Sequence, residues 1–352
     1  MRFIPTEDEV MLRDAARRFL ADDGREKGAD WQSFAAMGWL MAAIPEEHGG
    51  LGLGHHAAAV VAEELGRAAS PAPFVEVAIT AAQVCMELAP DRLAAIMAGE
   101  RRIVLAHAEL EARGDPAWCA TRAEPAKDGF RLTGSKTAVI GAPEADELLV
   151  SANVPGKGVT LFSLPAPLPM LSYLTVDGRS AADITFDALF VPEAAVLGGG
   201  GGALPAIERA IDHALVLHAA DMVGAMQGAL DMTRDYLLIR KQYGTIIGDF
   251  QALRHRLADM FIETEQARSM VLRGLDGLER PSRARAALAA ATKAHVARAG
   301  KFVTGQAVQL HGGIGVTEEY PVGRYFNRAV VYDARSGSAD THVGRFARLT
   351  TE

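Results

Sequence analysis

Apolar positions recur at helical spacing through the first hundred residues. They give way to short β-rich runs near Ile103 and return to helical spacing after Leu204. Thr6 and Glu9 form a capping-box pattern ahead of Val10, Ala15 and Phe19, so a first helix starts there. Trp31 to Ala43 stays in helical register, and Pro45 to Gly54 reads as a glycine-rich loop. His55 to Ala69 is alanine-rich and predicts a helix, and Ala72 to Ala98 holds at least one more. Between Ile103 and Val191 the pattern predicts strands at Ile103–Ala106, Phe130–Thr133, Ala138–Ile140, Glu147–Ala152, Val159–Leu164 and Ile184–Val191. The strands call for a compact barrel or sandwich. Five glycines, Gly198 to Gly202, read as a flexible connector and not a phosphate cradle, because no strand-turn-helix or Lys-Ser/Thr context accompanies them.

Leu215, Ala219, Met222, Val223, Met226 and Leu230 share one helical face, so a helix runs into Arg240. A tight loop, Gln242 to Gly248, separates it from a second stripe of Phe250, Leu253, Leu257, Met260, Phe261 and Ala267, with Asp249 as the expected N-cap. Pro281 to Thr304 is an alanine-rich helix suited to a bundle. The fold class is therefore α+β, with a helical domain over 1–103, a middle β-domain over 104–195 and a helical bundle over 204–352. A loop with a guanidinium, an aromatic ring and backbone N–H groups beside a helix start suits an anionic, planar ligand. A polar, solvated helical hairpin explains the same residues equally well.

Composition removes several alternatives. A net charge of −8 argues against nucleic acid or an anionic membrane as the main partner. The 49% hydrophobic and 23% charged residues fit a soluble globular protein. No apolar run is long enough to span a membrane, and the acidic start carries no signal peptide, so the expected location is cytoplasmic. Cys85 and Cys119 make neither a disulfide framework nor a metal site, and His48, His55 and His56 read as surface histidines, not ligands.

The segment Arg240-Lys-Gln-Tyr-Gly-Thr-Ile-Ile-Gly-Asp-Phe-Gln251, continuing to Met260, resembles the central signature of the flavin-dependent acyl-CoA dehydrogenase family. Gln309-Leu-His-Gly-Gly-Ile-Gly-Val-Thr-Glu-Glu-Tyr-Pro-Val-Gly-Arg324 is similar to its other long signature, and Ile44-Pro-Glu-Glu-His-Gly-Gly-Leu-Gly-Leu53 to its N-terminal one. The resemblance spans essentially the whole chain. It implies an N-terminal bundle, a middle β-domain and a C-terminal four-helix bundle. It also implies FAD as cofactor, an acyl-CoA thioester as substrate and an electron-transfer flavoprotein as electron acceptor. Arg240, Gln242, Tyr243, Gln251, Gln309, Gly312 and Gly313 match positions that, in the family, hold the ADP half of a neighbouring subunit's flavin.

The reaction removes a weakly acidic proton next to the thioester, which requires a carboxylate base. The resemblance puts that base at Ser336 or Ala214, neither of which accepts a proton at neutral pH. The arginine that usually follows the second position is Leu215. The two flavin-ring segments, matched by Ala108–Asp115 and Lys136–Ile140, lack the family's hydroxyl and aromatic residues. The pattern points to one subunit of the bacterial heterotetrameric, steroid-type enzymes, with a paralogous partner supplying base and ring pocket. A self-sufficient homo-oligomeric oxidoreductase using Asp221, Asp333 or Asp340, and a non-enzymatic scaffold, remain as alternatives.

Overall fold

The computed structural model describes residues 4–22 and 31–351. They belong to two compact units, one of Met1–Gly28, Ala59–Ser70 and Leu215–Glu352, the other of Ala29–Ala58 and Pro71–Ala214. The N-terminal helices, the central sheet and the C-terminal helices follow one another in the expected order.

In the first unit, α1 (Glu7–Asp22) opens with the predicted capping box. The Thr6 N–H donates to Glu9 Oε2 at 3.0 Å, and the Glu9 N–H to Thr6 Oγ1 at 3.3 Å. Helix α3 (Gly54–Arg67) crosses α6 (Leu204–Ile239) at a pair of glycines. A Cβ on Gly66 would lie 1.8 Å from the Asp221 carbonyl oxygen, and one on Gly224 1.8 Å from that of Glu63. Only glycines allow the two backbones this approach. The rest of the unit is α7 (Gln251–Leu275), α8 (Ser282–His311), α9 (Val322–Ala334) and α10 (Ala339–Thr351). The alanine-rich α8 buries Ala286, Ala290, Ala297 and Ala307 against its neighbours, as its small side chains predict.

In the second unit, α2 (Trp31–Ala36) ends short of the predicted Ala43. Gly38 takes φ +73° and the chain tightens into a 3₁₀ turn at Trp39–Met41, burying Trp39 and Leu40. Ala72 to Ala98 forms four pieces: a π-helical segment, Val75–Ala81, then α4 (Ala82–Leu88), a 3₁₀ turn (Pro90–Arg92) and α5 (Leu93–Met97). All six predicted strands exist. They are β1 (Ile103–Ala106), β3 (Gly129–Ile140), which merges two of them, β4 (Glu147–Val154), β5 (Gly158–Pro165) and β7 (Ser180–Pro192). The sequence pattern missed β2 (Arg122–Ala126), which carries a proline, β6 (Leu171–Leu174), exposed throughout, and the two-residue β8 (Val196–Leu197). The sheet runs β6-β7-β3-β2-β4-β5-β8, with β1 parallel to β4. Leu148, Leu149 and Val150 on β4 are buried on both faces. The five-glycine stretch is more ordered than a free tether: every φ lies between +67° and +82°, and the Gly201 N–H donates to Thr160 Oγ1 at 2.8 Å.

Beneath the segment joining β1 to β2 lies a buried polar cluster. Lys136 Nζ donates to Glu109 Oε1 (2.7 Å), Ser151 Oγ (3.0 Å) and the His107 carbonyl (3.3 Å), which uses all three of its protons. Glu109 also accepts the N–H groups of Ala120 (2.7 Å) and Thr121 (3.0 Å) and the Thr121 hydroxyl (2.7 Å). His107 Nε2 faces the Pro116 carbonyl at 2.9 Å, which can only accept, so Nε2 carries the hydrogen and Nδ1 accepts from Ser151 at 2.8 Å. Burial, then the charge of Lys136, pulls His107 down to about 4. Burial alone would raise Glu109, but the bonds from Lys136 and Thr121 outweigh it and hold the carboxyl at about 2.

Two outcomes follow for stability. Gly224→Ala should lower it by about 1–3 kcal/mol in urea titration, because the methyl meets backbone that cannot repack. His107 binds a proton in the unfolded chain near 6.5 and in the folded chain only near 4. Stability should therefore climb by up to about 3 kcal/mol as pH rises through that window, and His107→Gln should remove this increment. Urea midpoints across the window measure both.

Candidate functional site

Helix α6 ends at Ile239, and the chain forms a small hairpin of β9 (Lys241–Gln242) and β10 (Thr245–Ile246), closed by the Ile247 N–H donating to the Arg240 carbonyl at 2.9 Å. Tyr243 takes φ +54° and is 91% exposed, and Gly244 takes φ +82°. Asp249 is not the N-cap of α7. Phe250 holds that position with no side-chain bond, while the Asp249 carboxylate accepts from Thr245 Oγ1 (3.0 Å) and Arg254 (3.0 Å). The physical reason is register: the 3₁₀ turn Ile247–Asp249 delays the helix by one residue. Arg240, Gln242 and Gln251 are all exposed.

The second predicted segment lies at the same end of this unit. His311, on the last turn of α8, stacks on Tyr236 of α6 at 4.5 Å and 28°, with Tyr320 tilted at 4.9 Å. Its Nδ1–H donates to the Ala307 carbonyl at 2.8 Å. This aromatic clamp, which the sequence reading passed over, joins the end of α6 to the end of α8. Gln309 is exposed beside it. Gly312 takes φ +65°, a conformation that favours glycine. Among the described residues, a Cβ on Gly313 would meet no atom within 4 Å. The guanidinium, the amide side chains and the uncapped start of α7 make a donor set that fits the diphosphate and sugar of a dinucleotide.

The candidate base positions lie elsewhere. Ser336 follows α9, exposed, with φ +54°, and its carbonyl accepts from His342 Nε2 at 2.8 Å. Ala214 is a buried methyl on α6. The aspartates considered as substitutes are all engaged. Asp221 is buried and takes a bidentate pair from Arg328, at 2.7 Å from Nε and 2.5 Å from the second nitrogen. Asp333 accepts from Lys301 (2.8 Å) and from the Ala339 N–H (3.0 Å), which outweigh burial and hold its carboxyl below the usual range. Asp340 is exposed and paired with Arg298 at 2.8 Å. Nearby Lys293 is buried, donates to the Tyr332 carbonyl and lies 3.8 Å from that ring's centre; burial pulls its ammonium down to about 7.

The two flavin-ring segments present little to a ring. Lys136 and Glu109 spend their charges on each other. At the irregularity between Lys136 and Val139, the Thr137 hydroxyl (3.0 Å) and the Ala138 N–H (2.8 Å) both donate to Asp183 Oδ1, which also accepts from Tyr173 (2.9 Å). Ile140 is buried. The donors of Lys136, Thr137 and Ala138 are thus turned inward, while Glu111, Arg113 and Asp115 are exposed, and the donors of the loop after α6 fit an ADP group. His48 and His55 are half-buried, with His55 edge-on to His213 at 4.5 Å. Among the described residues no cluster of metal-ligating side chains forms, and no helix is long and apolar enough to cross a membrane.

Comparison with known proteins agrees with this fold. The chain matches "Acyl-CoA dehydrogenase, N-terminal domain" over residues 6–90 and "Acyl-CoA dehydrogenase, C-terminal domain" over 200–350. It is 30% identical over 322 residues to "Probable acyl-CoA dehydrogenase fadE25" of Mycobacterium leprae, covering 86% of this chain and 82% of that one. Among solved structures it is similar to a variant of the steroid ACAD Tcur3481-Tcur3483, with a TM-score of 0.86, 31% identity and 97% of each chain covered. It is also similar to the ChsE4-ChsE5 complex from Mycobacterium tuberculosis, with a TM-score of 0.86, 25% identity, and coverage of 100% of this chain and 99% of that chain. The chain belongs to the acyl-CoA dehydrogenase family, a family of flavin-dependent oxidoreductases.

Proposed function

We propose that this chain is the subunit lacking the catalytic base in a hetero-oligomeric, FAD-dependent acyl-CoA dehydrogenase, and that a paralogous partner completes the active site. The observation that carries the reading is the state of the carboxylates. Ser336 and Ala214 stand at the base positions, while Asp221, Asp333 and Asp340 are each held by a cation. A carboxylate in a bidentate arginine pair is a poor base, because the pair stabilises its ionised form. When bound, FAD supplies the acceptor for the substrate's hydride.

This chain's own part is to grip the ADP half of that flavin. Arg240 meets the diphosphate, Gln242, Gln251 and Gln309 meet the sugar and base, and Tyr243 covers the site. Gly312 and Gly313 let a ligand approach the backbone, which agrees with the absence, among the described residues, of any neighbour that demands a glycine at 313. The one similar structure is named a steroid ACAD and the other a ChsE4-ChsE5 complex, which supports a steroid-like substrate and a two-chain assembly for this chain. Electrons leave for an electron-transfer flavoprotein.

The purified chain alone should show no acyl-CoA dehydrogenation with short, long or steroid-like thioesters, whereas the complex with its paralogue should turn over. Robust turnover by the single chain overturns the proposal. In the complex, Arg240→Ala should raise the FAD dissociation constant roughly ten- to a hundredfold, equivalent to about 1.5–3 kcal/mol for a charge-assisted contact. Added FAD should recover part of the rate. Fluorescence titration of the apo-complex measures this, and an unchanged constant would leave Arg240 without a role in binding.

A further inference from the structure

The cluster under the β1–β2 segment contains a nucleophile that the proposed function does not use. Cys119 is half-buried, with Sγ 3.9 Å from Lys136 Nζ, 3.8 Å from Ser151 Oγ and 3.9 Å from the Thr121 carbonyl. The other cysteine, Cys85, is fully buried, with its thiol pushed up to about 12 by burial. A small oxidant therefore reaches Cys119 and not Cys85. The Lys136 nitrogen cannot move away from the sulfur, because Glu109, Ser151 and the His107 carbonyl hold it in place.

We propose that Cys119 and Lys136 form an oxidation-driven covalent bridge, S–O–N, with hydrogen peroxide as the oxidant. The arrangement supplies each requirement of the step. Glu109, 2.7 Å from the Lys136 nitrogen, takes the proton that this nitrogen sheds as its bond to oxygen forms, because the ammonium that holds the carboxyl low is then gone. The thiol and the amine react with two molecules of hydrogen peroxide to give Cys119–S–O–NH–Lys136 and three of water. The S–H bond, one N–H bond and both O–O bonds break, and S–O and O–N bonds form. Sulfur and nitrogen together lose four electrons, which reduce the two peroxides. Ser151, donating to His107 and accepting from Lys136, keeps the amine aligned as its charge falls. Burial raises the Cys119 thiol while the charge of Lys136 lowers it, so thiolate is scarce and the reaction slow. The neighbouring amine captures the oxidised sulfur before further peroxide does, because capture is intramolecular.

The bridge replaces an ion pair by a covalent link between β3 and the segment before β2, and makes that segment's conformation depend on oxidant. This inference stands on the second unit alone and does not depend on the chain's place in a hetero-oligomer. The test treats the full chain with hydrogen peroxide and digests it without reductant. Mass spectrometry then follows the peptides carrying Cys119 and Lys136. The expected product is a cross-linked pair heavier by one oxygen and lighter by two hydrogens, released by dithiothreitol with recovery of the free thiol and amine. Cys119→Ser leaves the Lys136–Glu109 pair intact and should keep its circular dichroism spectrum while losing the cross-link. Cys119 unmodified, Cys119 carried to sulfinic or sulfonic acid with Lys136 still free, a direct S–N bond, or a disulfide to Cys85 would each overturn the proposal.

Discussion

Arg328 and Asp221 meet in the interior of the helical unit, and the arrangement of that unit depends on them. The guanidinium is 2% exposed, takes both carboxylate oxygens of Asp221 and donates its remaining bond to the Ser70 carbonyl at 3.0 Å. One side chain on α9 thereby ties α6 and the turn after α3 together. Two charges removed from water cost several kcal/mol each, and only this bidentate geometry offsets them. Deleting either partner would leave a buried, uncompensated charge, at a cost of about 3–5 kcal/mol. The same pair that secures α9 engages both carboxylate oxygens of Asp221.

The glycine crossing of α3 and α6 works alongside it. Gly66 and Gly224 bring the helix backbones close enough for Glu63, Glu64 and Arg67 to reach partners on neighbouring helices: Glu63 meets Arg268, Arg17 reaches Glu64 at 2.8 Å, and Arg67 reaches Asp231 at 2.7 Å. Tyr325 closes the same contact by donating to the Arg67 carbonyl at 2.9 Å. Further along α6, the Tyr236–His311 stack sets the turns that follow α6 and α8 side by side. A binding surface for a phosphate group needs such support, because its donors must point outward before the ligand arrives.

The sheet unit shows a different economy of polar groups. Its buried lysine, glutamate, histidine and serine satisfy one another completely, and Asp183 collects the donors of the β3 irregularity. A fully connected polar cluster specifies one conformation of its loops at little net cost. Lys136 and the Thr137 hydroxyl thereby bond inward in the segments expected at a flavin ring. In the helical unit Arg240, Gln242 and Gln251 are exposed, and in the sheet unit Lys136 and the Thr137 hydroxyl are bonded internally. This contrast underlies the division of labour proposed for the two halves of the site.

Much of this was legible in the sequence, because the signals were local. The helix-strand-helix order follows from hydrophobic period, the first helix start from Thr6 and Glu9, and the exposed loop from Gly244 and Gly248. The family follows from two long motifs, and the proposal of a missing base starts from the identities of Ser336 and Ala214. What the sequence missed depends on contacts between distant residues. Asp249 reads as an N-cap until Thr245 and Arg254 claim its carboxylate, and β6 is invisible because none of its side chains is buried. The engagement of Asp221 by a residue 107 positions away leaves no trace in local pattern. Nor does the meeting of Lys136, Glu109 and Cys119, since only the sheet brings them within reach of one another. Period and turn chemistry act over a few residues and so are written along the chain. The pairing of buried charges is decided by packing, which tertiary structure alone supplies.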